Sequence, residues 1–329
     1  MCKEVFVGGD FIQNIGGCNV VYTAEDLLIS GQEVIFNADD IISFGPPDNP
    51  PKSDTAEDKK CFCDRELTVE EVKSFYGNKK LFSASNCSLP ENSKNYDEFT
   101  KAINDTLKKY EINTCIRKAH FLAQIEAETG FNTTLEYADG WDYDHTTHYD
   151  AYLQYQKEKD PKKKAKLKRG YNRYLECIAH GHDVKGYGPK YKGRGLIQTT
   201  WKDTYEKYFK YLGKPELITT PEVIANNLTY TCDSAGWYWR KNSAWGDLNR
   251  FADKDDFISI CVGVNGGLNG FQHRKKNLKT ILKFMNIPVN CASNKLKIIG
   301  EYKYETSNIR NSNWGKNKNN KNAIQKFDD

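Results

Sequence analysis

Two glutamates, Glu128 and Glu136, flank a short segment at the end of a long amphipathic stretch. From Thr114 to Glu128, small and apolar residues recur at helical spacing, which predicts a helix with Thr114 as N-cap and an end at Gly130. Glu128 would then lie on the last turn of a mostly buried helix, and Glu136 on the following loop or short strand. One carboxyl group in an apolar place and one in a wetter place is the pairing that acid–base hydrolysis of a glycosidic bond requires.

Several motifs accompany this pair in a fixed order. They are Glu66–Tyr76, Arg117–Gln124 with Glu128-Thr-Gly, Glu136-Tyr-Ala-Asp-Gly140, Tyr191-Lys-Gly-Arg-Gly-Leu-Ile-Gln-Thr-Thr200, and Val264-Asn-Gly-Gly-Leu-Asn-Gly270 followed by Arg274. Together they resemble glycoside hydrolase family 19, which comprises chitinases and bacterial or phage cell-wall lysozymes. The resemblance extends from about Glu66 to Pro288 and implies a mainly α, two-lobed, lysozyme-like hydrolase.

The resemblance also implies a role for each matched residue. Glu128 would be the general acid that protonates the leaving oxygen, Glu136 the general base that activates water, and Thr200 a hydroxyl that helps to hold this water. The arginines are expected to favour the ionised base rather than the neutral acid. Such an inverting reaction keeps its carboxyl groups about 6.5–9.5 Å apart and needs no metal or other cofactor. The residues expected to bind the sugar or line the cleft are Gln198, Asn265, Arg194, Arg274, Tyr137 and Tyr205.

The chain departs from the family pattern at three positions. Thr204 stands where Asn is common, Asn269 where plant members carry Glu, and Ala127 where many relatives have His. None of these changes removes Glu128 or Glu136, so the catalytic interpretation stands. Three tryptophans are candidates to stack on sugar rings: Trp141, Trp201 and Trp245.

Composition divides the chain into four parts. Residues 1–45 contain short β-rich runs punctuated by Gly, Asn and Asp, residues 46–65 form a Pro-rich linker, residues 66–290 form the hydrolase domain, and the Asn/Lys-rich residues 291–329 are expected to be flexible. The first part resembles β-rich spike segments of contractile injection machines. A small β appendage without a delivery role is the alternative.

Charge is unevenly distributed along the 329 residues. The net charge is +4, and residues 1–50 contain one lysine and eight acidic residues, which leaves +11 on residues 51–329. A basic catalytic domain suits an anionic polymer such as peptidoglycan. No recognition helix or stacking platform favours nucleic acid, and no apolar run is long enough for membrane insertion. The first twenty residues lack a signal-peptide pattern, which predicts synthesis in the cytoplasm and export or injection by a dedicated system.

The stretch from Asp142 to Gly186 reads as an insertion between catalytic motifs. Its Lys-rich part, Lys157 to Arg169, is predicted to be helical, interrupted by Pro161 and ended by Gly170. The ordinary interpretation of this Lys-rich run is a solvent-exposed helix face. The functional alternative is a lid that contacts the glycan or anionic wall polymers. Four histidines in the insertion could supply zinc ligands, but their spacing matches no recognised motif and we predict no metal there: His145, His148, His180 and His182.

The ten cysteines are scattered, and only Cys61 and Cys63 are close in sequence. Their spacing is not that of a Cys-x-x-Cys metal pair. Because the start of the chain lacks a signal-peptide pattern, most of the ten are interpreted as buried free thiols. A disulfide formed after export is the alternative.

The sequence thus favours a cell-wall hydrolase that cleaves a β-1,4 bond next to N-acetylglucosamine. Peptidoglycan is the first expected substrate and chitin the second. An injected antibacterial effector would bind a spike protein through residues 1–45 and would be neutralised by an immunity protein. The alternatives from other classes are a non-catalytic glycan-binding component and a delivery protein with the hydrolase as its cargo.

Overall fold

The computed structural model describes residues 61–288, 291–295 and 302–327. Most of these residues are helical. This confirms the mainly α prediction, whereas the predictions for residues 1–45 and for most of the 46–65 linker lie outside the described residues. The helices are α1 Val69–Phe75, α2 Tyr96–Lys109, α3 Cys115–Thr129, α4 His145–Lys157, α5 Pro161–Ala179, α6 Tyr187–Lys190, α7 Lys202–Tyr211, α8 Val223–Asn226, α9 Leu228–Trp237, α10 Asn249–Ala252, α11 Phe257–Asn265, α12 Phe271–Met285, α13 Asn313–Lys316 and α14 Lys318–Gln325.

Helix α3 is the buried helix that carries Glu128. Its N-cap is Thr114, whose side chain accepts a hydrogen bond from the backbone N–H of Arg117, and its C-cap is Gly130 in the left-handed region at φ 58°. Both ends agree with the prediction. Helices α10, α11 and α12 pack against α3, so the last turn of α3 is held by neighbours rather than by its own helix propensity.

Strand structure in the described residues is limited to two isolated antiparallel bridges. Leu135 pairs with Arg194, and Arg194 pairs in turn with Thr199. The Gly-Arg-Gly motif is therefore a folded-back loop that lies against the segment after α3. This contact brings Glu136, which follows Leu135, next to a loop almost sixty residues later in the sequence.

The insertion forms a helical hairpin made of α4 and α5. Pro161 is at the first position of α5, where a missing N–H costs nothing, and Asp160 caps the helix. Helix α5 continues through Gly170 to Ala179, so the prediction that Gly170 ends the helix is wrong. A Cβ at Gly170 would lie 2.6 Å from the Cβ of Ala151, which shows that this glycine allows the two helices to approach closely.

The C-terminal part also differs from the prediction of a flexible tail. Between residues 302 and 327, Tyr302, Tyr304, Ile309 and Ile324 are buried in the same apolar core as side chains of α1, α2 and α3. The Oγ of Ser307 donates a 2.6 Å hydrogen bond to Asp256. The prediction failed because a few well-spaced apolar residues are enough to anchor a segment of polar average composition.

The buried apolar side chains form one core cluster. The eight cysteines among the described residues form no disulfide, and no described helix combines the length and the apolar character needed to cross a bilayer.

Candidate active site

Glu128 is fixed by an arginine from α12. Its Oε1 accepts a hydrogen bond from Nη2 of Arg274 in an ion pair whose side chains are 14% and 3% exposed. Arg274 also donates from Nη1 to Gln124 at 2.8 Å and from Nε to the carbonyl of Asn269 at 3.2 Å. Because the guanidinium is held at three points, it fixes the orientation of the carboxylate.

Tyr238 lies close enough to Glu128 to respond to its charge. Burial, and then the nearby charge of Glu128, raise the pKa of the Tyr238 hydroxyl to about 12. This hydroxyl lies 3.3 Å from the carbonyl oxygen of Val264, one residue before Asn265, the half-buried last residue of α11. The segment that begins at Val264 therefore lies near Glu128.

A second glutamate on α3, Glu126, is not part of this arrangement. Its Oε1 accepts a 2.6 Å bond from Lys79, and its Oε2 accepts a bond from Asn277. Glu126 is thus neutralised by structural partners, which leaves Glu128 as the carboxylate that α3 supplies to the site.

Glu136 is held by the Gly-Arg-Gly loop and by the insertion. Its backbone N–H donates to the carbonyl of Gly193 at 3.0 Å, and its Oε2 accepts from the N–H of Gly193 at 2.9 Å. Its Oε1 accepts a 2.9 Å bond from the hydroxyl of Tyr143. Each carboxylate oxygen therefore has one fixed donor and keeps a further lone pair for a water proton.

Gly193 leaves room for two functional side chains. A Cβ at this position would lie 2.8 Å from Oε1 of Gln198 and 3.1 Å from Oε2 of Glu136. The backbone of Gln198 is in the left-handed region at φ 54°, and its carbonyl accepts a 2.8 Å bond from Thr200 Oγ1. The structure therefore brings Gln198 close to Glu136, with Thr200 on the same loop.

Arg194 and Tyr205, both expected to bind sugar or line the cleft, support the backbone of the Gly-Arg-Gly loop. Arg194 is buried and donates from Nη1 to the carbonyl of Lys190 at 2.7 Å and to the hydroxyl of Tyr205 at 3.0 Å. Tyr205 is fully buried, and its hydroxyl donates to the carbonyl of Lys192 at 2.7 Å. Both side chains are thus buried and used to satisfy loop carbonyls.

The exposed aromatic residues lie close to Glu136 in sequence. Tyr137 is 71% exposed and Trp141 is 39% exposed, so both rings can stack on a sugar. Trp201, by contrast, is stacked on His180 at a centroid distance of 4.6 Å and packs edge-on against Tyr143 at 5.1 Å. Exposure therefore favours Trp141 over Trp201 among the tryptophan candidates.

The sequence reasoning missed Tyr143 and Arg173. Tyr143 supplies a hydrogen bond to Glu136, and the guanidinium of Arg173 lies over the Tyr143 ring at 5.1 Å. Both belong to the insertion, which the family motifs do not include. Burial, and then the charge of Glu136, raise the pKa of Tyr143 well above its usual value, so this hydroxyl stays a donor at neutral pH.

Replacing Tyr143 with phenylalanine tests this contact. Loss of a hydrogen bond to a charged carboxylate is expected to lower the hydrolytic rate roughly 10- to 100-fold with little change in thermal stability. Steady-state rates on a soluble glycan measure the effect, and Tyr149→Phe, on the exposed side of α4, is the matched control. An unchanged rate for Tyr143→Phe would exclude a role for this hydroxyl.

The four histidines of the insertion do not assemble into a metal site in the described part of the chain. His180 contacts Asp203 at 2.9 Å, and His148 contacts the carbonyl of Asp142 at 2.9 Å. His182 donates from Nδ1 to the carbonyl of Tyr143 at 2.7 Å and accepts from the N–H of Lys202 at Nε2. Both nitrogens of His182 are thus used by the protein, in a pattern that only the neutral ring satisfies.

Acid is therefore expected to weaken the fold around His182. Burial lowers the pKa of His182 below its usual value of about 6.5. The unfolded chain then binds the proton more readily, so this stabilisation is present above about pH 6.5 and is lost as the pH falls towards the folded-state pKa. Urea unfolding at about pH 5 and about pH 7.5 should show a smaller pH dependence in His182→Gln than in wild type or in the half-exposed control His273→Gln. An equal dependence in all three proteins would contradict this.

Over part of the chain, the sequence is similar to known proteins of the family that the motifs resemble. No family model matches. A glycosyl hydrolase family 19 domain-containing protein of Haemophilus influenzae is 34% identical over 109 residues, which cover 33% of this chain and 50% of that protein. An Arabidopsis thaliana endochitinase is 42% identical over 55 residues, 17% of this chain and 19% of that protein. The chain thus spans half or less of the length of these relatives.

Solved structures were matched as well. Chitinase C from Streptomyces griseus is 16% identical with a TM-score of 0.43, covering 67% of this chain and 77% of the other. The class IV chitinase of Zea mays is also 16% identical with a TM-score of 0.43, covering 68% and 94%. The sequence relatives show that the chain is homologous to glycosyl hydrolase family 19 proteins.

Proposed function

From this homology and from the two separately held carboxylates, we propose that the chain is a glycoside hydrolase that uses Glu128 as general acid and Glu136 as general base. The observation that carries the proposal is the arrangement around Glu136. Two neutral donors, the N–H of Gly193 and the hydroxyl of Tyr143, orient its oxygens without a cation. This suits a base, because its negative charge stays available to attract a water proton.

Glu128 is the proposed acid because the resemblance implies that role. Arg274 contacts Oε1, a pairing that by itself favours the ionised carboxylate. Among the described residues no hydrogen-bond donor reaches Oε2, so that oxygen is the one proposed to deliver the proton. The ion pair was not expected from the sequence, which placed the arginines with the base. In the proposed reaction Arg274 orients the acid, and it stabilises the carboxylate that remains after the proton has moved to the leaving oxygen.

Cleavage by this pair would invert the anomeric configuration. Water activated by Glu136 attacks the sugar on one face, while Glu128 protonates the leaving oxygen on the other. Proton NMR of the first products from a β-linked oligomer tests this step. Initial release of the α-anomer supports inversion, whereas initial release of the β-anomer would assign a covalent intermediate and overturn the base role of Glu136.

Peptidoglycan is the proposed substrate. The support is electrostatic, since residues 51–329 carry a net charge of +11 and bacterial walls carry anionic polymers. Purified peptidoglycan and chitin oligomers, incubated in parallel with wild type and Glu128→Gln, provide the test. Muropeptide release that is absent in Glu128→Gln supports the proposal, and release from chitin alone would contradict it.

Chitin is the second candidate, and the observation that favours it is the similarity to two Arabidopsis proteins named endochitinases. If neither polymer is cleaved but both are bound, the chain is a non-catalytic glycan-binding protein. That result would overturn the roles of both glutamates.

We further propose that the hydrolase is made in the cytoplasm and delivered to the cell wall by a dedicated injection system. Residues 1–45 would dock on its spike, and an immunity protein would protect the producing cell. The support is the contrast between the acidic residues 1–50 and the basic remainder. Deletion of residues 1–50 should leave hydrolysis in vitro unchanged and abolish delivery, and unchanged delivery would exclude this role.

A further inference from the structure

Four cysteines that are scattered in sequence meet at one point in the fold. Each contributes one sulfur, and all four sulfurs lie within 4.8 Å of one another. We call this group the cysteine cluster. Its members are Cys61, Cys63, Cys115 and Cys291.

The spacing of the sulfurs fits a single tetrahedral ion. The Sγ atoms of Cys63, Cys115 and Cys291 form a triangle with three sides of 3.6 Å. Four sulfurs at about 2.3 Å from a central zinc ion lie about 3.8 Å apart, close to the observed value. A disulfide instead brings one pair to about 2.05 Å, and three equal distances show no such pairing.

Backbone groups of the cluster donate to the sulfurs. The N–H of Phe62 donates to Cys115 Sγ at 3.2 Å, that of Cys63 to Cys61 Sγ at 3.3 Å, and that of Cys115 to Cys63 Sγ at 3.3 Å. Such donors stabilise negative charge on sulfur, which a metal-bound thiolate carries and a neutral thiol does not. Cys115 is also the first residue of α3, where the helix dipole favours an anionic group.

A buried lysine, Lys118, lies next to the cysteine cluster and could balance negative charge on its sulfurs. Lys118 is only 2% exposed, and its Nζ donates to the carbonyls of Phe62 and Arg65. In the described part of the chain it has no carboxylate ion-pair partner, although a buried ammonium without a counter-charge is costly. Four thiolates around one divalent cation carry a net charge of −2, which would balance the charge of Lys118, whose Nζ donates to the carbonyl of Phe62 between Cys61 and Cys63.

We propose that the cysteine cluster is a structural zinc site. Soft thiolate ligands in tetrahedral geometry select zinc, and four protein ligands leave no open position for catalysis. Binding replaces four S–H bonds with four Zn–S bonds and releases four protons to solvent, with no change of oxidation state. The clustering could not be found from the sequence, because the ligands are 52 and 176 residues apart and lack the Cys-x-x-Cys spacing.

The site would join three segments of the fold. It ties the start of the described chain at residues 61–63 and the segment after α12 to the N-terminus of α3. Since α3 carries Glu128 at its other end, the zinc would anchor the helix that supplies the proposed acid without contacting the substrate.

Metal analysis of the full chain tests the proposal. Protein produced with added zinc and freed of loose metal should contain about one zinc ion per chain. Cobalt reconstitution of the chelator-treated protein should give the visible spectrum of a tetrahedral tetrathiolate. Removal of zinc by a chelator is expected to lower the thermal midpoint by about 10 °C.

Variants identify the ligands. Cys61→Ser and Cys291→Ser should lose the zinc, whereas Cys177→Ala, a buried cysteine of α5 outside the cluster, should retain it. If the cluster variants do not fold, thiol titration of folded wild type, with and without chelator, replaces them. Release of one zinc ion that makes four further thiols reactive, while the buried cysteines outside the cluster stay protected, then supports the site. Two disulfides without metal, a bound iron ion, four free thiols that take up no zinc, or zinc retained in both variants would each overturn it.

Discussion

Glu136→Gln and Glu128→Gln are each expected to lower the rate of glycan cleavage by roughly 10²- to 10⁴-fold, the usual contribution of a general acid or base. Glutamine keeps the shape of the side chain and can still accept the bonds from Tyr143 or Arg274. The substitution therefore removes the proton chemistry rather than the fold. Initial rates on the substrate identified by product analysis, with thermal unfolding to verify folding, measure the effect.

The matched control is Glu126→Gln, two residues before Glu128 on the same helix. Because Glu126 is paired with Lys79, its replacement should leave the rate within a few-fold of wild type. The pH–rate profiles should separate the two catalytic roles. Glu136→Gln should lose the dependence on the acidic side, where a base becomes protonated, and Glu128→Gln the dependence on the alkaline side. Wild-type rates in either variant would refute the assignment.

Local sequence signals predicted α3, the helix that carries Glu128. Thr114 and Gly130 are capping residues whose preferences arise from their own backbone and side-chain chemistry, so both ends of α3 could be found without tertiary information. The predicted interruption at Pro161 agrees with the structure, because α4 ends at Lys157 and α5 begins at Pro161. The prediction that Gly170 ends the helix was wrong. Gly170 allows a close contact with Ala151 on another helix, which local sequence does not reveal.

The hydrogen-bond partners of Glu128 and Glu136 could not be derived from the local sequence pattern. Glu136 depends on Gly193 and Tyr143, which reach it from a distant loop and from the insertion. The resemblance indicated the loop but not the tyrosine. Arg194 and Tyr205 were expected to bind sugar or line the cleft, and their hydrogen bonds to loop carbonyls could not be derived from the motif.

Arg274→Met is expected to be the most destabilising single change at the site. It leaves the charge of Glu128 in a largely buried position without its partner and removes the donor to Gln124 Oε1. Breaking one side of a buried pair typically costs about 3–5 kcal/mol of unfolding free energy. The rate should fall as well, because Glu128 loses the group that orients it.

Arg117→Met provides the comparison, because Arg117 also lies on a helix end of the same domain and also makes a two-pronged ion pair. Its partner, Asp253, is 39% exposed, so the loss should cost only about 0–1 kcal/mol. Urea unfolding at neutral pH gives both free energies. The double variant Arg274→Met/Glu128→Gln should regain part of the lost stability, since the unpaired charge is then gone. No recovery would mean that Arg274 stabilises the fold through Gln124 and Asn269 rather than through Glu128, and the proposed orientation of the acid by Arg274 would be wrong.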